Sequence, residues 1–152
     1  AMANGFPIGA VVGRKEVMET VNHIWISATF NGETASMAAA LKTIQELERL
    51  NALEHIWRMG RMLIDGLNEI IREFGAPAEA FGWPLPPMPF MRFTVEDKET
   101  EEKLRTSFFG EVISRGVLLH PTHMWFVSYA HKEEDIERTL EIVREAMKTA
   151  LR

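Results

Sequence analysis

The stretch AMANGFPIGAVVG, residues 1–13, sets the reading of the fold. Asn4, Gly5, Pro7 and Gly9 make a tight turn, because glycine reaches backbone angles closed to other residues and proline fixes its own. The turn delivers IGAVV, residues 8–12, a continuous apolar run closed by Gly13. Such a run is the pattern of a strand buried on both faces in a parallel sheet. After it, RKEVMETV (14–21) predicts a short helix. HIWIS (23–27), β-branched and aromatic, predicts a second strand that runs into the polar turn ATFNGET (28–34). Two apolar strands and one helix do not cover both faces of a parallel sheet, so this region requires further strands and helices from elsewhere.

Working outward, Met37, Ala40, Leu41, Ile44 and Leu47 recur at helical spacing and predict a helix over 34–50, with Thr34 as its N-cap. A longer helix is predicted from about Leu53 to Phe74, ended by Gly75, with a stripe of Leu53, Ile56, Trp57, Leu63, Leu67, Ile70, Ile71 and Phe74. Its length suits a connection between domains. Pro77, Pro84, Pro86, Pro87 and Pro89 then forbid regular helix and mark a linker or an irregular edge. FMRFTV (90–95) alternates Met91, Phe93 and Val95 against Phe90, Arg92 and Thr94, a half-buried strand. The charged segment 96–116 reads as a helix burying Leu104, Phe108, Val112 and Ile113 and stopped by Gly116. Two short strands, VLL (117–119) and MWFVSY (124–129), flank HPTH, and a last helix from about Glu133 buries Ile136, Leu140, Val143, Met147 and Leu151. Residues 76–152 thus make an α+β unit.

Composition narrows the function. With 46% hydrophobic and 26% charged residues, and no apolar stretch near membrane-spanning length, the chain reads as a soluble globular protein. The net charge of -5, with Lys and Arg interspersed among Asp and Glu, argues against a nucleic-acid partner. There are no cysteines, so neither disulfides nor a thiolate metal site exists, and the apolar start lacks the charged region of a signal peptide. A cytoplasmic location is the expectation.

The segments AMANGFPIGAVVGRKEVM and ISATFNGETASMAAALKTIQEL, followed by GVLLHPTHMWFVSYAHKEEDIERTLE, resemble class III (fold type I) pyridoxal-phosphate-dependent aminotransferases, a family that includes glutamate semialdehyde aminomutase. The likeness covers essentially the whole chain. It implies an α/β fold: residues 1–50 as the end of the large cofactor-binding domain, 51–75 as a connecting helix, and 76–152 as the small C-terminal α+β domain. It also implies a lysine directly before Ala1, which in the family holds pyridoxal 5'-phosphate as a Schiff base and afterwards moves the substrate's α-proton. No catalytic residue is then expected within this chain, and the segment alone is expected to be inactive.

By the same resemblance, Thr29 reaches the phosphate of the neighbouring subunit's cofactor, which implies a homodimer. A hydroxyl and free amides near a helix N-terminus suit an anion on physical grounds as well. The acidic partner of the pyridine nitrogen and the ring-stacking aromatic belong to the family's upstream half. The HPTHMW turn falls near the family's active-site mouth, so His123 and Trp125 are candidate substrate-side contacts. In the aminomutase this turn carries a slightly longer acidic stretch, so the departure favours a general transaminase at least equally. His120, His123 and His131 with Trp125 form a cluster that lacks a carboxylate to complete a ligand set, and no metal is expected. Arg92 could clamp a substrate carboxylate, though a solvated strand-face arginine is the commoner role. Asp65, Glu69, Arg72 and Glu73 read as the solvated face of the long helix. The rival from another class is a non-catalytic binding or structural module derived from the small domain, which would have to cover its strand edges and apolar faces within the chain.

Overall fold

The computed structural model describes residues 2–151. Its contacts divide into two units, Ala1–Ala52 and Leu53–Arg152.

In the first unit a short helix α1 (Lys15–Met18) passes into a 3-10 turn (Glu19–His23), and a longer helix α2 spans Thr34–Arg49. The strands expected at 8–12 and 23–27 are not formed. Extended backbone becomes a strand only when a neighbour supplies the ladder, and neither segment has one among the described residues. Their apolar side chains are correspondingly uncovered, with Val11 and Val12 each 86% exposed and Trp25 92%. Helix α2 matches the expected span, but its cap is Glu33, not Thr34: the Glu33 carboxylate accepts from the amides of Ala35 and Ser36, both at 2.7 Å. The stripe of Met37, Leu41 and Ile44 is exposed, and Ser36 and Ala40 are the buried positions.

The second unit opens at Leu53, within α3 (Ala52–Phe74). Gly75, at φ +57, stops it, and the amide of Ala76 returns to the carbonyl of Ile71 at 3.0 Å. This left-handed ending is what glycine permits. Strand β1 (Ala78–Gly82) follows, pairs antiparallel with β2 (Pro89–Phe93), and brings Ala80 opposite Met91. The five prolines therefore do not make this region a linker: Pro77 precedes β1, Pro84, Pro86 and Pro87 lie in the connection, and Pro89 starts β2. All of these are positions where a missing N–H is tolerated. Strand β2 buries Pro89, Phe90, Met91 and Phe93 and exposes only Arg92, so it is covered on both faces instead of one.

Helix α4 (Lys98–Ser114) is capped by Asp97, whose carboxylate accepts from the Thr100 amide at 2.9 Å and the Thr100 hydroxyl at 2.5 Å. It buries Phe108, Phe109 and Val112, while Ile113, expected inside, is exposed. The strands expected at 117–119 and 124–129 are absent as ladders, but two backbone bonds, Trp125 N to Pro89 O at 2.8 Å and Val127 N to Pro87 O at 2.9 Å, lay that segment antiparallel beside the start of β2. Helix α5 (Glu133–Ala150) closes the unit and buries Ile136, Val143, Ala146 and Met147. One core joins Met59, Leu67 and Ile70 of α3, Met91 of β2, Phe108 and Val112 of α4, and Val143 and Met147 of α5. Each such side chain contributes about 1.5–3 kcal/mol by leaving water.

Candidate functional site

In the first unit, the turn after Ala28 is held by two backbone bonds, Asn31 N to Ala28 O at 2.9 Å and Glu33 N to Phe30 O at 3.1 Å. The segment Pro7–Ile8–Gly9 faces it across a cleft of about 370 Å³, whose walls include Ala28, Phe30, Asn31, Gly32 and Glu33. Thr29 is exposed between two of these wall residues. Its amide and hydroxyl make no hydrogen bond among the described residues.

Glu33 changes how an anion could be met here. The Ser36 hydroxyl, then the amides of Ser36 and Ala35, hold its carboxyl below the usual carboxylate range. Two first-turn amides of α2, those of Ala35 and Ser36, are thus already satisfied by a negative group of the chain itself. Their expected role as a free anion site is corrected on that ground, because a second anion would have to displace or repel a charge in place. Thr29 lies ahead of that cap, with donors still unspent. The residues present therefore fit a phosphate through Thr29 and not through the helix N-terminus.

In the second unit, His120, His123 and Trp125 lie in one loop. Trp125 is 9% exposed, packs against Phe90 and Phe109 with ring centroids 6.5 and 6.4 Å apart, and donates its indole N–H to the His120 carbonyl at 2.9 Å. His123 is exposed, donates through Nδ1 to the Met124 carbonyl at 2.7 Å, and has the rings of His120 and Phe126 at 5.9 and 6.1 Å. His131 Nδ1 accepts from the Ser128 amide at 3.0 Å, and its carbonyl accepts from His55 Nε2 at 2.7 Å. These histidines are engaged with the backbone of their own loop, and among the described residues no group of three potential ligands converges as a metal site would. Arg92 pairs across the hairpin with Glu79 at 2.5 Å and lies 5.5 Å from the Phe81 ring, so its charge is met within the sheet.

Two participants escaped the sequence. Glu33 did so because threonine at 34 is the better cap by residue type, although glutamate one position earlier reaches the same amides. His55, 76 residues from His131, joins the 120–131 loop through a contact that no local spacing encodes.

The whole arrangement has counterparts. The family model for aminotransferase class-III matches residues 1–147. The chain is 33% identical over 148 residues to the 3-aminobutyryl-CoA aminotransferase of Cloacimonas acidaminovorans, covering 97% of this chain and 35% of that protein. It is 32% identical to glutamate-1-semialdehyde 2,1-aminomutase 2 of Brevibacillus brevis, covering 99% of this chain and 38% of that protein. The chain therefore spans a little over a third of the length of these curated relatives. Among solved structures, the FumI protein of Sphingopyxis sp. MTA144 in its PLP internal aldimine form superposes with a TM-score of 0.87 at 27% identity, over 99% of this chain and 35% of that one. An omega-transaminase from Sphaerobacter thermophilus superposes with a TM-score of 0.87 at 21% identity, over 99% of this chain and 37% of that one, and shares the fold. The fold is that of the PLP-dependent transaminases, a mixed α/β architecture.

Proposed function

The chain belongs to the class-III aminotransferase family, and from that membership we propose that the protein moves an amino group between an amino acid or amine and a keto acid or aldehyde, with pyridoxal 5'-phosphate as cofactor. An aminomutase, which moves the group within one substrate, is the nearest variant and is supported by the Brevibacillus brevis relative. When bound, the cofactor supplies the electron sink for the substrate carbon, and the protein has to hold, orient and shield it. No residue of this chain makes or breaks a bond in this proposal. That role falls to a lysine placed before Ala1, and Ala1 itself lies outside the described residues.

One observation carries the reading: Thr29 keeps both of its donors unspent on an exposed, internally braced turn. Exposed donors without a partner among the described residues suit a phosphate held by another subunit, which supports a homodimer in which Thr29 serves the partner's cofactor. His123 and Trp125 are the proposed substrate-side pair. His123 would present its exposed ring, while Trp125 would act mainly by fixing the turn from beneath. Residues 1–50 are assigned to the end of the large domain, 51–75 to the connecting helix and 76–152 to the small domain. The exposure of Val11, Val12, Trp25 and Phe30 supports an upstream half of the enzyme that covers them, and weighs against a stand-alone module. A cytoplasmic location is supported by the absence of cysteine, and among the described residues no helix is long and apolar enough to cross a membrane.

The test uses the full-length protein with its lysine. It is expected to bind pyridoxal phosphate with the absorbance of a lysine-bound cofactor. It is also expected to transfer amino groups on a panel that includes a β-amino acyl-CoA and glutamate semialdehyde, the chemistries of the two named relatives. A folded full-length protein that takes up no cofactor and turns over nothing on the panel would sink the proposal.

A further inference from the structure

We propose that Asn31–Gly32 is a site of spontaneous deamidation, and that its conversion places a carboxylate beside Thr29 and weakens the binding of a cofactor phosphate there. The second half of this proposal rests on the assignment of Thr29 given above; the first half does not.

The chemistry needs a backbone amide nitrogen able to attack the asparagine side chain. The nitrogen of Gly32 bonds to Cγ of Asn31, the Cγ–Nδ2 bond breaks, and the side-chain nitrogen leaves as ammonia with the proton given up by Gly32. Water then opens the five-membered imide at either carbonyl, leaving aspartate or isoaspartate. Glycine following asparagine favours the attack because no Cβ obstructs it and the backbone turns freely. Both residues here are exposed, and Gly32 stands at φ +81 with nothing within 4 Å of the position a Cβ would take. The Gly32 amide donates to no group among the described residues, so no hydrogen bond has to break before it attacks.

The chain contains internal comparisons. Asn68 sits within α3, with Nδ2 donating to the Ala80 carbonyl at 2.8 Å and Oδ1 accepting from the Ala80 amide at 3.2 Å, so both side-chain atoms are engaged. Asn22 is followed by His23, whose side chain crowds the attacking nitrogen. Asn4–Gly5 shares the favourable pair, with Gly5 at φ +106, but does not line the cleft beside Thr29.

The consequence is electrostatic. Glu33 already places one carboxylate two residues from Asn31, held ionised by Ser36 and Ala35. A second carboxylate at 31 puts two like charges around the donors of Thr29, which opposes a phosphate dianion.

The experiment incubates full-length protein, stripped of cofactor, at mildly alkaline pH and follows each asparagine by peptide mass spectrometry, with isoaspartate detected by enzymatic methylation. Asn31 is expected to convert roughly tenfold or more faster than Asn22 and Asn68, because of these three only Asn31 is followed by a residue without a Cβ. Asn31→Gln, which would need a slower six-membered ring, should abolish the signal at 31. Asn4→Gln should leave it intact. If Asn31 keeps its amide while a synthetic peptide of residues 26–36 loses it under the same conditions, the deamidation proposal is overturned. Saturation with pyridoxal phosphate is expected to slow conversion at 31, and the converted protein should retain cofactor less well. If Asn31 converts at the same rate with and without cofactor, and retention is unchanged, the modification site stands and the placement of Thr29 at the phosphate falls.

Discussion

The indole nitrogen of Trp125 donates to the carbonyl of His120 at 2.9 Å, so a core side chain holds the loop that carries His123. Trp125→Phe keeps the aromatic packing with Phe90 and Phe109 and removes that bond. A single neutral hydrogen bond contributes about 0.5–1.5 kcal/mol net, so a modest loss of stability is expected in urea unfolding. Trp125→Ala should cost about 3–5 kcal/mol because it empties a buried aromatic position. In the full-length protein, Trp125→Phe is expected to raise KM for the amino acceptor more than it lowers kcat if the loop faces substrate as proposed, since the change loosens the loop without removing its His123. An unchanged KM would remove Trp125 from the substrate side.

Asn68 of α3 satisfies both backbone groups of Ala80 on the free edge of β1. An edge strand otherwise offers unpaired groups to other chains. Asn68→Leu strands a buried N–H and C=O at once and is expected to destabilise by about 1–3 kcal/mol for each group left unpaired. Denaturation would measure it, and hydrogen exchange at Ala80 should quicken in parallel. Protection that persists at Ala80 would show the edge to be held by something else.

Two glycines of α3 separate steric from propensity effects. A Cβ on Gly60 would fall 2.2 Å from the Pro86 carbonyl oxygen, whereas one on Gly66 would meet the Leu140 side chain, its nearest atom at 2.3 Å. Alanine gains about 1 kcal/mol over glycine within a helix. At Gly60 the obstacle is backbone, and an overpacking penalty of about 1–3 kcal/mol should outweigh that gain. At Gly66 the Leu140 side chain has rotamers to yield with, so Gly66→Ala should be the milder of the two in thermal melting. The reverse order would contradict the packing of α3 against the β1–β2 connection.

Much of this second unit was legible in the sequence because its helices bury their own periodic stripes. The positions Leu63, Leu67, Ile70, Phe108, Val112, Val143 and Met147 follow from spacing alone and are all buried. The hairpin was not legible, since five prolines are read as disruption until one knows that each sits where no ladder donor is needed. In the first unit the pattern of IGAVV and HIWIS speaks for a sheet that the described residues do not complete, so local sequence and observed backbone part company. Of the candidate site, Thr29 is named by resemblance alone. The capping of α2 by Glu33 was hidden by the neighbouring threonine.

Helix α2 should respond to acid. Glu46 is drawn down from 4.5 to about 2, first by its hydrogen bond to Arg49 and then by that to Lys42, and Glu33 is lowered by Ser36 and Ala35. Both groups have folded-state values below the unfolded one, so their contribution is complete above pH 4.5 and fades as pH falls through the folded values, for Glu46 towards about 2. Lys42 and Arg49 are solvent-exposed, so salt should shrink the Glu46 part of the effect, whereas Ser36 beside Glu33 is buried and uncharged. Far-UV circular dichroism from pH 6 to 2 would follow it, and Glu33→Gln with Glu46→Gln should flatten the profile. A helix signal equally acid-sensitive in the double variant would place the titration elsewhere.

Thr29 gives the most direct test of the active-site assignment. A hydrogen bond to a charged group is worth about 1.5–3 kcal/mol, so Thr29→Ala in the full-length enzyme should weaken cofactor affinity by roughly tenfold to a hundredfold. Thr29→Ser, which keeps the hydroxyl, should restore most of it. Because Thr29 is exposed and unbonded among the described residues, the cofactor-free protein should melt at the same temperature in all three forms. That combination separates a phosphate contact from a turn residue. A structural role would lower the melting temperature and leave affinity per folded molecule intact, whereas a phosphate contact does the opposite. A mixed dimer in which one subunit carries Thr29→Ala and the other lacks the lysine would then decide whose cofactor the residue serves. If Thr29 reaches across the interface, the only bound cofactor sits in the Thr29→Ala subunit and is met by the intact threonine of its partner, so affinity stays at the wild-type level. If affinity falls instead, Thr29 serves its own subunit.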